Sequence, residues 1–365
     1  MSRISFQHQG SSARVVFGSG TLAQLGEEAA RLDLTRVMVV NTPGQRGYAE
    51  RAMDALGARA GVLFDGAAMH TPVEVTERAL AIALGAQADG LVAVGGGSAI
   101  GLAKALALRT GLPQIVVPTT YAGSEATPIL GETQNALKVT QRSGKVLPEV
   151  ILYDVDLTLG LPLAISVVSG LNAVAHAAEA MYAPDGNPLI SVMAEEGAAA
   201  LLGALPRLKI RLDDITARSE ALYGAWICGT CLGAVAMGLH HKLCHTLGGT
   251  FGLPHAETHA VILPHALAYN LDAAPEARWR LSRVLGDPDP PSALIALAAG
   301  LDAPLALREL GMPEAGLEQA ADIAVQNAYA NPRPLDHGEL LALLRRAWAG
   351  EPPPPLAAPR PKARA

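Results

Sequence analysis

Short apolar runs alternate with amphipathic stretches through the first third of the chain. Arg36-Val37-Met38-Val39-Val40 is apolar after its first residue and stops at Asn41-Thr42-Pro43-Gly44, a turn-like stretch. Helix-forming residues continue to Leu56, and a second strand is expected over 61–64. Residues 72–84 carry apolar positions at helical spacing with acids near the start, which predicts a helix. A buried strand over 90–94 then runs into Gly95-Gly96-Gly97-Ser98, followed by a helix over 100–108 and a strand over 114–117 that Pro118 stops. Runs without polar alternation are buried on both faces. Strands alternating with helices imply a parallel sheet covered on both sides.

From about Pro162 the pattern changes to Ala, Leu, Glu and Arg at helical spacing, with no convincing strand. The chain of 365 residues therefore divides into an α/β domain over 1–159 and an all-helical domain over 160–350. The last segment, 351–365, opens with Glu351-Pro352-Pro353-Pro354-Pro355 and is expected to be a disordered tail.

Composition supports large cores: 50% of residues are hydrophobic, 17% are charged, and aromatics are scarce. The net charge of −6, without a basic block, argues against nucleic acid as a partner. The most apolar stretches are strand-length, so no membrane span is expected, and the N-terminus lacks the apolar core of a signal peptide. Three cysteines, Cys228, Cys231 and Cys244, point to a reducing compartment, the cytoplasm. Cys228 and Cys231 fall in a small-residue helical run and read as packing thiols, because no second pair completes a zinc site.

Two loops and a group of histidines carry candidate chemistry. Glycines between a strand and a helix let the backbone approach a pyrophosphate at a helix N-terminus, with Ser98 adding a hydroxyl. Pro118-Thr119-Thr120-Tyr121-Ala122-Gly123-Ser124 follows the next strand and is placed to line a ligand cleft. Seven of the ten histidines lie between 164 and 268. His241 and His245 share one helix face, as do Asn172 and His176 on another, and His255 follows Pro254. His259 is an even candidate for a role, while His240 and His265 read mainly as structural.

Gly95-Gly96-Gly97-Ser98, Pro118-Thr119-Thr120, the Asn172/His176 helix and His241-x3-His245-x9-His255 together resemble the iron-containing alcohol dehydrogenase family, over roughly residues 10–345. The resemblance implies a dehydroquinate synthase-like architecture: an α/β dinucleotide-binding domain, then an all-α domain, with the active site between them. It places the family's metal ligands on Asn172, His176, His241 and His255. The family has aspartate where this chain has Asn172, and usually aspartate again at Gly101. Both departures, with His70-Thr71-Pro72, Tyr121-Ala122-Gly123-Ser124-Glu125, His240-His241-Lys242-Leu243-Cys244-His245 and Pro254-His255-Ala256-Glu257-Thr258-His259, resemble the branch that reduces maleylacetate. That branch is associated with catalysis without a metal.

The expected catalytic residues are then His176, His241, Lys242, His245 and His255, with His245 or His241 giving the proton. The cofactor, NADH with NADPH possible, is expected at Asn41, Gly95, Gly96, Gly97, Ser98, Thr119, Thr120 and Ser124. Asn41 ends its strand where a carboxylate would repel a 2′-phosphate. A small dicarboxylate is expected at His70, Tyr121, Asn172 and Lys242, with Lys138, Arg142 and Lys145 as further cations or a solvated loop. No metal is expected, and a homodimer is what the resemblance implies. Three other readings stand beside this one: a metal-dependent alcohol or polyol dehydrogenase, a dehydroquinate synthase-like lyase that borrows NAD, and a binding protein on a decayed scaffold.

Overall fold

The apolar runs of the first half form a six-stranded parallel sheet. A computed structural model describes residues 6–8, 10–134, 137–326 and 328–357. The strands are β1 (Arg14–Gly18), β2 (Val37–Val40), β3 (Ala60–Phe64), β4 (Gly90–Gly95), β5 (Gln114–Pro118) and β8 (Val150–Asp154). They lie in the order β1-β8-β5-β4-β2-β3, every pairing parallel. β6 (Ile129–Gln134) and β7 (Leu137–Arg142) form a separate antiparallel pair.

Alternate residues of each strand feed opposite faces, as a pleated strand requires. Val37, Val39, Val92 and Val94 pack under α1 (Leu25–Arg31) and α2 (Arg46–Leu56). Met38, Val40 and Leu91 pack under α3 (Val73–Gly85) and α4 (Gly97–Thr110). Strand order reverses direction between β2 and β4. Their carboxyl ends therefore open a crevice where doubly wound sheets bind ligands, and the glycine loop stands at that switch point.

β8 ends at Asp154 and the helical domain starts with α5 (Leu163–Ala180). It continues through α6 (Pro188–Ile210), α7 (Ile215–Ala234), α8 (Leu239–Phe251), α9 (His255–Asn270), α10 (Pro275–Leu285), α11 (Pro290–Gly300), α12 (Leu317–Gln326) and α13 (His337–Ala349). α5, α6 and α7 share one core with Tyr121, Ile151 and Tyr153 of the α/β domain, so the two domains meet through apolar surface. Gly229 in α7 lets that helix touch the 119–127 loop. A Cβ there would lie 2.0 Å from the carbonyl oxygen of Gly123.

Three sequence expectations change here. β1 and β8 supply two strands that the apolar pattern did not mark, and the hairpin is a third addition. By length and composition, α5 and α6 are apolar enough to cross a membrane, although only strand-length runs were expected. Every residue of α5 from 166 to 180 is buried in protein, which makes it a core helix. Within the segment expected to be a disordered tail, Pro353 is buried and Leu356 packs against the α5–α7 core; residues 358–365 lie outside the described ones.

Candidate active site

A cleft of about 630 Å³ lies between the carboxyl ends of the sheet and the helical domain. Its wall combines Gly96, Gly97 and Ser98 with Thr120, Ser124, Asn172, His176, His241, His245 and His255. Residues distant in the chain meet because α5, α8 and α9 pack side by side.

On the sheet side, α4 begins directly in the wall. Its N-cap, Gly96, contributes no side-chain cap. A Cβ on Gly96 would lie 2.9 Å from Thr120 Cγ2, and nothing lies within 4 Å of one built on Gly97. Uncapped N–H groups beside open space form a cradle for a phosphate, and these residues fit a dinucleotide.

Asn41, Gly95 and Thr119 stand behind this wall rather than in it. Asn41 is fully buried and its Nδ2 donates to the Val94 carbonyl, tying β2 to β4. Thr42, Gly44 and Gln45 take the position at the cleft. Gln45 Nε2 donates to Thr119 Oγ1 at 3.2 Å.

On the helical side, the histidines are held by a carboxylate that the sequence reading passed over. Glu179, 1% exposed, accepts from the backbone N–H of Gly238 and His240, each at 2.7 Å, and so caps α8 from outside. Its Oε2 also lies 2.7 Å from His241 Nδ1. A carboxylate can only accept, so Nδ1 carries the proton and Nε2 is left for the cleft side. His241 Nε2 is buried with no hydrogen-bond partner among the described residues. The signal for Glu179 was present: 172, 176 and 179 follow the spacing of one helix face.

His245 Nδ1 lies 3.2 Å from the hydroxyl of Tyr329, another residue the sequence reading missed. Nothing local marks Tyr329, which reaches the site from 84 residues away. Behind the wall, His240 Nε2 and His259 Nδ1 are 2.8 Å apart. Burial, and then the neighbouring histidines, push His176, His240 and His259 well below their ordinary values, so these rings are neutral.

Two expected substrate contacts face elsewhere. Tyr121 is fully buried and its hydroxyl accepts from Arg218 Nη1 at 3.0 Å, which makes it part of the interdomain core. Lys242 is buried off the wall, with Nζ 5.6 Å from the centre of the Tyr329 ring. His70 and Asn172 do line the cleft. Arg142 donates to the carbonyls of Gly233 and Val235, Lys145 is exposed, and the Lys138 side chain lies outside those described.

The donor chemistry does not fit iron. Asn172, His176, His241 and His255 offer three imidazoles and a neutral amide. Of the acids nearby, Glu179 is already engaged by α8 and His241, and Glu257, which lines the wall, joins no group of three ligand atoms within 4.8 Å of one another among the described residues. Iron(II) sites of this kind add an anionic oxygen. A second group, His240, Cys244 and His259, brings its ligand atoms within 4.8 Å of one another. Its two nitrogens sit at hydrogen-bond distance, closer than the roughly 3.3 Å expected of two ligands on one tetrahedral zinc.

The chain matches the family described as iron-containing alcohol dehydrogenase over residues 12–155, and its C-terminal counterpart over 166–348. It is 54% identical over 337 residues to a maleylacetate reductase of Burkholderia cepacia, covering 92% of this chain and 96% of that one. Identity to a maleylacetate reductase of Pseudomonas knackmussii is 51% over 350 residues, covering 96% and 99% of the two chains. The crystal structure of maleylacetate reductase from Agrobacterium tumefaciens superposes with a TM-score of 0.92 at 52% identity, covering 96% of this chain and all of that one.

Proposed function

We propose that this chain, which belongs to the iron-containing alcohol dehydrogenase family, reduces the conjugated carbon–carbon double bond of maleylacetate to give 3-oxoadipate. The observation that carries the reading is a cleft walled by histidines in which position 172 is an amide. The near-full-length likeness to maleylacetate reductases supports the same substrate.

NAD(P)H, when bound at the glycine loop, supplies a hydride. Added to the alkene carbon remote from the ketone, it leaves an enolate whose negative charge sits largely on the ketone oxygen. The neighbouring carbon then needs one proton, and the overall change consumes one hydride and one proton. The His241 and His245 rings are placed to meet both needs. Glu179 and Tyr329 fix their orientation, and preorganised donors stabilise developing charge without reorganising. We assign the proton to His245, whose Nδ1 can accept from the Tyr329 hydroxyl so that Nε2 donates. His241, with Nδ1 donating to Glu179, contacts the enolate as a donor only when Nε2 carries a proton as well.

An enolate is a weaker base than the alkoxide formed in ketone reduction, so the reaction demands less of a Lewis acid. Catalysis without a metal is therefore consistent with Asn172. The cleft residues at the end of β2 are neutral, so charge there does not exclude NADPH, and we assign NADH as the cofactor with NADPH also accepted. We place the enzyme in the cytoplasm as a homodimer, its three cysteines buried and none in a disulfide among the described residues. The test is His245→Ala. Its turnover should fall at least about 100-fold with the substrate KM little changed, and near-normal turnover would remove His245 from the mechanism.

A further inference from the structure

Gly101 lies one turn into α4 and lines the cleft, and a Cβ built on it would lie 2.4 Å from Thr71 Oγ1. Thr71 thus fills the space that a side chain at 101 would need. It is only 6% exposed, although it lies in the connection between β3 and α3. His70 and Thr71 both have left-handed backbone, with φ of +62° and +47°. That conformation is costly for any residue with a Cβ and worst for a β-branched one, and Thr71 also precedes a proline.

Such a turn persists only where its surroundings over-determine it. Here Thr133 N donates to the Thr71 carbonyl at 3.2 Å, and Pro72 pairs with Thr133 in a parallel bridge. The turn is clamped between β6 and the first turn of α4, and Met69, His70 and Thr71 face the cleft.

The charge inventory of the wall gives that placement a purpose. Among the described residues of the wall, Lys104 is the one lysine or arginine and Glu257 the one carboxylate. The Lys104 ammonium is already shared among the carbonyls of Ser124, Thr127 and Ile129 and the Thr127 hydroxyl. A dianionic substrate must therefore take its donors from histidines, hydroxyls and backbone. His70 is the histidine that the α/β domain brings to this wall.

We propose that Gly101 and Thr71 form a steric couple that determines specificity. The bare Gly101 lets the left-handed turn seat, and the seated turn presents His70 to one carboxylate of the short dicarboxylate. This rests on the substrate reading above. His70 binds substrate; Gly101 and Thr71 are positioning residues.

The couple is tested with four variants of the full chain. Gly101→Ala should change the maleylacetate KM less than about 3-fold, because Thr71 can turn its hydroxyl aside by one staggered step. Gly101→Asn needs the space of the turn itself and should raise that KM at least about 10-fold, leaving the NADH KM unchanged. His70→Ala should do the same. The double variant Gly101→Asn/His70→Ala should be no worse than His70→Ala alone, since both act through one contact. Multiplicative effects, or a rise in the NADH KM instead, would overturn the proposal. Amide hydrogen exchange over residues 69–71 gives a readout that needs no substrate. It should quicken in Gly101→Asn, and unchanged exchange there also overturns the couple. Failure of the unaltered protein to reduce maleylacetate would instead sink the substrate reading.

Discussion

Glu179 and His241 meet through a 2.7 Å contact, Oε2 to Nδ1, while the same carboxylate caps the helix on which His241 stands. One buried acid thus fixes both the backbone and the ring tautomer of a residue in the cleft.

Glu179→Gln keeps the volume but puts an amide N–H where the site has only donors. Unfolding free energy should fall by about 3 kcal/mol, measured by urea denaturation. Turnover should fall roughly 10- to 100-fold, because the ring loses its orientation. A variant as stable and as active as the parent would remove Glu179 from the account.

Asn172 sits 2% exposed with its Oδ1 unpartnered among the described residues. Asn172→Asp would supply the anionic oxygen that the donor set lacks. After exposure to iron or zinc and dialysis, the variant should retain metal in roughly stoichiometric amount, and the parent much less. Elemental analysis of the two proteins decides this, and equal retention would contradict the role given to the amide.

His265 is 3% exposed, and burial pushes it down to about 4, with the Arg346 charge adding to the effect. The unfolded ring takes up its proton near pH 6.5, so below that value the unfolded state binds more protons than the native one. Stability is therefore lost as pH falls from about 6.5 towards 4. His265→Leu should reduce the loss between pH 7 and pH 4.5 by about 2 kcal/mol, read from denaturation curves at the two values. A parallel pH dependence in both proteins would refute it.

Thr42 takes the place at the cleft that the sequence suggested for Asn41. Thr42→Asp should raise the KM for NADPH at least about 10-fold more than that for NADH, by repulsion of the 2′-phosphate. Equal effects on the two cofactors would place the adenosine ribose elsewhere.

The alternation of apolar runs was legible because β2, β4 and β5 are buried on both faces and carry no polar interruption. β8 was harder to see. Val150-Ile151-Leu152-Tyr153-Asp154 follows a polar hairpin instead of a helix, and the alternation that marks a βαβ unit breaks there. The histidine cluster was legible through helix spacing, since positions four apart share a face whatever the tertiary structure. What depends on rotation about a strand or helix end was not legible. Asn41 turns into the sheet while Thr42 turns out, and Tyr121 turns into the core while Thr120 turns to the cleft. Tyr329 was beyond reach, because it lies in irregular chain after α12 and its partner His245 is on a helix far back in the chain.

The most direct measurement is NADH oxidation by metal-stripped protein supplied with freshly generated maleylacetate, with the product identified. Rapid turnover to 3-oxoadipate, unchanged by chelator and not increased by added iron or zinc, is the predicted result. Turnover that appears only after metal is restored would contradict the account and show that three imidazoles and an amide suffice to hold a catalytic ion.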